Sequence, residues 1–409
     1  MTKTQPPSGI LNFQAQDRVV YGQPSGEAVA ALARDYGAQR VFLVTSRSGE
    51  QGAITRDIQT ALGQRFAGAY HGCQPHSPRE CVMEGAQAAA GADLLVALGG
   101  GSAIDAAKVM QLALWQGLDN TDALERYHSG QITDPNSVLP ANGKAPIRCV
   151  AVPTTLSGAE FTSFAGVTET ASGSKQVFAH PLFVPRAVVY DPGAAVSTPA
   201  WVLLSTGIRA VDHCVETFCS SGATPYSDAA AAHGLRLLYR GLPRLKNSPN
   251  DLANLLECQL AAWLAISGPA AGVPVGISHA IGRVLGGAFG VPHGRTSCLL
   301  LPAALRWNAE DPICAERQQN LLQAASLPGD CLADTIESLI RELSEPTRLS
   351  EVGIGRDQFQ RLAELALGMV GQPSTAGNPR PVNRAEDIEA VLEYAAAGSA
   401  EPDRSGLSQ

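Results

Sequence analysis

The chain has 409 residues, which at roughly 100–200 residues per domain suggests two or three domains. It is 45% hydrophobic and 17% charged, enough apolar material for a sizeable core, which excludes a disordered or fibrous chain. With 30 basic and 38 acidic residues the formal net charge is −8; that balance argues against a nucleic-acid binder and suits a cytoplasmic protein.

The opening MTKTQPPSGI lacks an apolar segment and is not expected to be a signal peptide. No run approaches the roughly 18 apolar residues of a membrane helix, so no membrane partner is expected. The apolar run 41–44 predicts a strand, and 55–62 a helix. A second strand is expected at 67–70, then a helix over 78–90 with Pro78 near its first turn. Residues 93–98 form a buried-strand run that passes directly into Gly99-Gly100-Gly101-Ser102 and a helix to 116. Residues 118–146 are polar and rich in turn formers, with a short helix at 122–128; the sequence assigns this excursion no role. Another strand follows at 148–152. Such alternation implies right-handed βαβ units and a mainly parallel sheet. Past residue 196 the pattern turns helical, with runs at 199–205, 206–220, 226–241, 250–267, 271–288, 296–308, 312–325, 328–342, 356–370 and 384–397. The expected architecture is an α/β domain over 1–195 followed by an all-helical domain over 196–409. The nine cysteines are scattered without a C-x-x-C pair and are expected to be reduced and mostly buried.

Chemistry concentrates in two places. Gly99, Gly100 and Gly101 between a strand and a helix let the backbone approach a phosphate, and the helix start supplies N–H groups and a positive dipole end. Ser102 is placed to cap the helix or bind the phosphate, and Asp105 sits in the first turn. Ile104 stands where a third glycine would complete the usual dinucleotide fingerprint, so this is a different device. Thr154 and Thr155, after the next strand, are expected to face the same crevice. In the helical half, Arg209 and His213 share a helical face at i, i+4, and His279 and Arg283 repeat the spacing. His293 lies in a loop soon after. By helical geometry Asp212 points about 100° away from His213. Two fixed cations beside three imidazoles disfavour a divalent metal and favour an anion, which arginine binds well.

These residues resemble the iron-containing alcohol dehydrogenase superfamily, in its maleylacetate reductase-like branch. The resemblance runs in order over nearly the whole chain, through 18–22, 99–102, 152–155, 185–192, 210–216, 279–293 and 378–382. It implies a dinucleotide domain followed by a helical domain, a dehydroquinate synthase-like fold, with the active site in the cleft between them. It implies that Gly99 to Ser102 hold the pyrophosphate and that Thr154, Thr155 and Lys175 line the rest of the cofactor site. Ser46 stands where the family often has Asp and is followed by Arg47 and Ser48, which favours NADPH over NADH. In metal-dependent members one Asp and three His bind iron or zinc; the matching positions are Arg209, His213, His279 and His293. The Asp is thus lost, and Arg283 replaces a further family histidine.

The expected enzyme is a metal-independent NAD(P)H-dependent reductase, a homodimer by resemblance, acting on a small anionic substrate such as maleylacetate or a related keto acid. Arg209 and Arg283 weigh against maleylacetate itself, though not against reductase chemistry. One of His213, His279 or His293 would donate the proton. The alternatives are a metal-dependent alcohol or polyol dehydrogenase with those three histidines as ligands, a dehydroquinate synthase-like lyase, and a cofactor-binding protein without turnover.

Overall fold

The computed structural model describes residues 10–128, 131–140 and 145–398. The N-terminal stretch 1–9 and parts of the 118–146 excursion therefore lie outside the described residues. The α/β half runs β1 (Arg18–Tyr21), α1 (Ser25–Asp35), β2 (Val41–Ser46), α2 (Ala53–Leu62), β3 (Phe66–Cys73), α3 (Arg79–Ala88), β4 (Leu94–Gly99), α4 (Gly101–Gln116), β5 (Arg148–Pro153), β6 (Phe164–Glu169), β7 (Ser174–Ala179) and β8 (Ala187–Tyr190). The helical half follows as α5 (Pro192–Ala195), α6 (Ala200–Cys219), α7 (Pro225–Asn247), α8 (Leu252–Ala270), α9 (Ile277–Ala288), α10 (His293–Asn308), α11 (Pro312–Ala324), α12 (Leu332–Glu342), α13 (Phe359–Leu367) and α14 (Ala385–Ala397).

Six strands form one parallel sheet in the order β1-β8-β5-β4-β2-β3. Both faces are covered, so its central strands carry continuous apolar runs, 41–44 in β2, 94–98 in β4 and 149–152 in β5. Val41, Leu43, Leu94 and Val96 pack with α1 and α2 on one face. Phe42, Val44, Leu95 and Ala97 pack with α3 and α4 on the other. The helices that follow β2 and β4 thus leave to opposite faces, and the neighbouring C-terminal ends of these strands, Ser46 and Gly99, flank a topological switch point. Ligands of open α/β sheets bind in the crevice at such a point.

Strands β1 and β8 and the antiparallel hairpin β6–β7 are not among the expected elements. The first two have only four residues each, and the hairpin alternates buried and exposed side chains amid polar residues. The hairpin is a separate two-stranded sheet. The excursion supports it from behind: Leu124 and Val138 are buried in the core shared by α4 and the hairpin. Arg79, on α3, joins Glu125 of the excursion to Gln176 of β7. In the helical half, the expected runs 199–205 and 206–220 merge into the single helix α6, and the run 271–288 helically begins only at Ile277, after Pro274. No described helix is long and apolar enough to cross a membrane. All nine cysteines are unpaired, and eight are buried; Cys331 is exposed.

Candidate functional site

The sheet side of the site is made largely of backbone. Gly99 has φ 150°, a conformation that side chains rarely adopt. A Cβ on Gly100 would lie 2.8 Å from Thr155 Cγ2, so only glycine lets this loop lie against the next one. Helix α4 starts at Gly101 with no side chain capping it; the Ala103 and Ile104 N–H groups turn back to the Gly100 carbonyl, at 3.0 and 3.2 Å, and no side chain occupies the helix start. The Thr154 N–H donates to the Gly99 carbonyl at 3.0 Å, tying the two loops together. Thr155 is buried and its hydroxyl donates to Ser157 Oγ at 3.2 Å. Ser46 ends β2, its hydroxyl 2.9 Å from that of Ser48.

Two expected ligand residues are engaged by the protein itself. Ser102 Oγ accepts the His76 N–H at 3.1 Å. Asp105 accepts the Gly166 N–H at 3.0 Å and lies 3.6 Å from Lys108 Nζ, so its carboxylate holds the hairpin in place. Lys108 is fully buried, donates to Ala159 O, Thr162 Oγ1 and Phe164 O, and locks the β5–β6 connection against α4.

The loop after β5 joins this side to the helical half. The Leu156 N–H donates to Thr206 Oγ1 at 3.2 Å, and Thr198 Oγ1 donates to the Thr154 carbonyl at 2.8 Å. One turn beyond Thr206, α6 begins a polar face: Arg209, Asp212, His213 and Glu216. All four are buried.

Arg209 Nη1 donates to Ser297 Oγ of α10 at 3.0 Å and lies 3.7 Å from Asp212 Oδ2. The same carboxylate oxygen accepts hydroxyl protons from Ser297 at 2.6 Å and from Ser278 at 2.9 Å. Glu216 accepts the N–H groups of Gly276 and Ser278, at 2.8 and 2.7 Å, which begin α9. It also takes His279 Nδ1 at 2.7 Å, with Asp212 Oδ2 a further 3.5 Å contact to that nitrogen. A Cβ on Gly276 would come within 2.9 Å of Glu216 Oε1, so this close approach requires glycine. With Nδ1 bound, His279 presents Nε2, which is buried without a protein partner. The His213 ring lies beside it, centroids 4.8 Å apart, and His213 Nδ1 is also unpartnered.

Charge in the cluster sets the protonation states. Burial, reinforced by His279 and Arg209, holds His213 well below the usual histidine range. His293 is also held well below it, by the Arg209 cation first and burial second. Burial alone would raise Asp212, but His279, Arg209 and the Ser297 hydroxyl outweigh it and keep the carboxylate ionised. Burial, with Arg209 adding, pushes Arg283 down to about 10. Arg283 sits toward the rim, where Nη1 donates to Ser374 Oγ at 3.0 Å. Lys175 of β7 faces α9 across the cleft, its Cβ 3.9 Å from where a Gly287 Cβ would stand. It keeps contact with solvent there, yet the protein on both sides lowers its pKa, and Arg209 and Arg283 lower it further against the pull of Asp105.

The expected catalytic residues Arg209, His213, His279, His293 and Arg283, together with Lys175, therefore share one electrostatic environment. Asp212, Glu216, Ser278 and Ser297 are hydrogen-bonding partners of this cluster to which the sequence reading gave no role. Helical spacing already put Asp212 and Glu216 at i+3 and i+7 from Arg209. What it could not show is that another helix places His279 against them.

Asp212, Glu216 and His279 bring donor atoms within 4.8 Å of one another, a spacing that a metal ion could use. Glu216 is already saturated by N–H donors, however, and Asp212 Oδ2 by hydroxyls. Arg209 stands within salt-bridge distance of the same cluster. The arrangement is that of a hydrogen-bonded imidazole held by two carboxylates, with a guanidinium as the resident cation.

Comparison with known proteins agrees with this layout. The family model "iron-containing alcohol dehydrogenase" matches residues 16–192, and that for the C-terminal part of the Fe-containing alcohol dehydrogenase family matches 203–396. The dehydrogenase ALT3 of Alternaria alternata is 34% identical over 368 residues, covering 81% of this chain and 93% of its own. Maleylacetate reductase 2 of Cupriavidus pinatubonensis is 32% identical over 386 residues, covering 93% and 95%. The crystal structure of a putative alcohol dehydrogenase from Ralstonia eutropha JMP134 superposes with a TM-score of 0.79 at 30% identity, covering 98% of this chain and all of that one.

Proposed function

The chain belongs to the iron-containing alcohol dehydrogenase family, on its maleylacetate reductase-like branch, and from that premise we propose a metal-independent reductase of small carboxylated oxo compounds. It is an NAD(P)-dependent oxidoreductase, which sets aside the lyase alternative. The observation that carries the proposal is Arg209. A buried guanidinium, fixed by Ser297 and Asp212, stands at the position where the resemblance places a metal-binding carboxylate. The donor set fits a divalent ion poorly: the Arg209 cation repels it, and Glu216 and Asp212 Oδ2 are already bonded, which leaves Asp212 Oδ1 as the unpartnered carboxylate oxygen. Arg209 then supplies the positive charge that the metal supplies in metal-dependent members.

The cofactor does fit. Gly99, Gly100 and Gly101 let the loop pack against Ala103, Thr155 and Ser157, where a Cβ would crowd it, and they lead into an uncapped helix N-terminus suited to a diphosphate. Thr154, Thr155 and Lys175 complete that side, and Ser46 with Arg47 and Ser48 presents no acid to repel a 2′-phosphate, which favours NADPH. Bound there, the nicotinamide supplies a hydride to the substrate.

On the helical side, Arg209 and Arg283 hold the substrate's carboxylate or the oxygen on which negative charge develops. His279 is the proton donor. Glu216 and Asp212 hold its Nδ1, leaving Nε2 to deliver the proton to that oxygen. His213 and His293, kept neutral, line the pocket without adding charge. With maleylacetate the same groups would draw electrons into a bound carbonyl while its carbon–carbon double bond is reduced to 3-oxoadipate. A domain boundary near residue 195, a homodimer and a cytoplasmic setting belong to the same proposal; the boundary rests on the change to helical pattern, the dimer on the family resemblance and the setting on the acidic charge balance.

The Asp212, Glu216 and His279 donor triplet favours a second reading, a metal-dependent alcohol dehydrogenase. A panel of substrates separates the two. NADPH consumption should be fastest with oxo acids bearing one or two carboxylates and slow with uncharged aldehydes. Preference for uncharged aldehydes, with a requirement for added zinc or iron, would replace the first reading by the second.

A further inference from the structure

Four non-glycine residues among those described have a left-handed backbone: His76 (φ 63°), Ser77 (φ 50°), Ser326 (φ 54°) and Ser344 (φ 61°). Ser326 and Ser344 follow Ala325 and Leu343, the C-caps of α11 and α12, where that conformation is an ordinary way to finish a helix. His76 and Ser77 have no such reason. They are consecutive and lie between β3 and the start of α3. Glycine would adopt both conformations without cost, so the side chains kept there have to compensate for it.

Ser77 does so visibly: its hydroxyl donates to the Ser102 carbonyl at 2.8 Å. The turn as a whole is pinned between the glycine loop and the hairpin. The His76 N–H donates to Ser102 Oγ, the His76 carbonyl accepts Thr168 Oγ1 at 2.9 Å, and the Ser77 carbonyl accepts the Thr168 N–H at 3.1 Å. The His76 imidazole is different. It is half-buried, and no described residue forms a hydrogen bond with its ring. Burial and the Lys175 ammonium hold it below the usual histidine range. The ring is therefore neutral at ordinary pH, with one N–H to donate; its own backbone is tied to Ser102 of the glycine loop, and the ring lies within electrostatic reach of Lys175.

We propose that His76 is a further cofactor-binding residue, whose imidazole N–H donates a hydrogen bond to the dinucleotide's diphosphate over Gly99–Ser102. The inference rests on the reading that this loop holds the dinucleotide. The turn accepts its unfavourable backbone because it aims a donor that glycine lacks.

The test compares His76→Gly and His76→Asn with the unmodified protein, by fluorescence titration of NADPH and of ADP-ribose and by thermal melting without ligand. Glycine relieves the backbone, so His76→Gly should melt at the same temperature or higher. It should nevertheless bind both ligands about three- to tenfold more weakly, the size of one lost hydrogen bond. Asparagine tolerates the left-handed backbone and keeps an N–H donor, so His76→Asn should retain most of the affinity. Unchanged binding by His76→Gly would overturn the inference, as would weakened NADPH binding with unchanged ADP-ribose, which would place the contact at the nicotinamide end. Weakened binding accompanied by a lower melting temperature would also overturn it, by showing a structural role. If the unmodified protein bound neither ligand, the parent reading of the loop would fail as well.

Discussion

The two walls of the cleft are built by opposite means. On the sheet side, Gly99, Gly100 and Gly101 make a surface by leaving side chains out. On the helical side, Arg209, Asp212, Glu216 and His279 are charged or titratable, and all are buried. Burying charge is costly, and it persists here because each group is answered: Arg209 by Ser297 and Asp212, His279 by Glu216. The first wall is therefore sensitive to size, which suits the binding role proposed for it. The second is sensitive to charge, which suits the chemical role proposed for it.

Substitutions on each wall should separate these roles. The largest effect is expected on the helical side. His279→Gln keeps the volume but cannot deliver a proton, and kcat should fall by about 10²- to 10⁴-fold. NADPH affinity, measured by titration, should barely move. Arg209→Met removes the resident cation, and kcat for an oxo acid should fall by about 10²- to 10³-fold, with a smaller loss for an uncharged aldehyde. Equal losses on both substrates would show that Arg209 does not act through charge. Gly100→Val tests the other wall. Its side chain meets Thr155, and NADPH should bind on the order of tenfold more weakly, while kcat at saturation stays close to normal. A large fall in kcat with unchanged affinity would erase the distinction between the walls.

The smallest effect concerns pH. His213 and His293 are held below their unfolded values, so below about pH 6.5 the unfolded chain binds more protons than the folded one. Their contribution to stability is present above that pH and declines as the pH falls toward the folded values. The melting temperature should drop by a few degrees between pH 7.5 and 5.5. A double His213→Asn, His293→Asn variant should show a shallower drop, and an identical slope would count against the assignment.

The same contrast explains what could be read from sequence. Residues 41–44 of β2 and 94–98 of β4 are unbroken apolar runs because both sheet faces are covered, and the glycine loop follows β4 directly. Strands β1 and β8, four residues each, carry too little pattern to stand out. The histidines and arginines announce themselves by i, i+4 spacing within one helix. The pairing of His279 with Glu216 links residues 63 apart in different helices, which no periodicity encodes. Asp105 reads as a ligand from its place in the first turn of α4, yet it is turned to Gly166 because the hairpin, invisible to the pattern, packs there. His76 gives no signal at all, since His-Ser before Pro78 looks like any turn.

The central claim is that Arg209 stands in for a metal ion. Elemental analysis of protein purified without chelator, with NADPH-dependent turnover of an oxo acid measured on the same sample before and after chelator treatment, tests it most directly. The account predicts zinc and iron far below one per chain and turnover unaffected by the chelator. About one zinc or iron per chain, with activity lost on its removal and regained on its return, would contradict it.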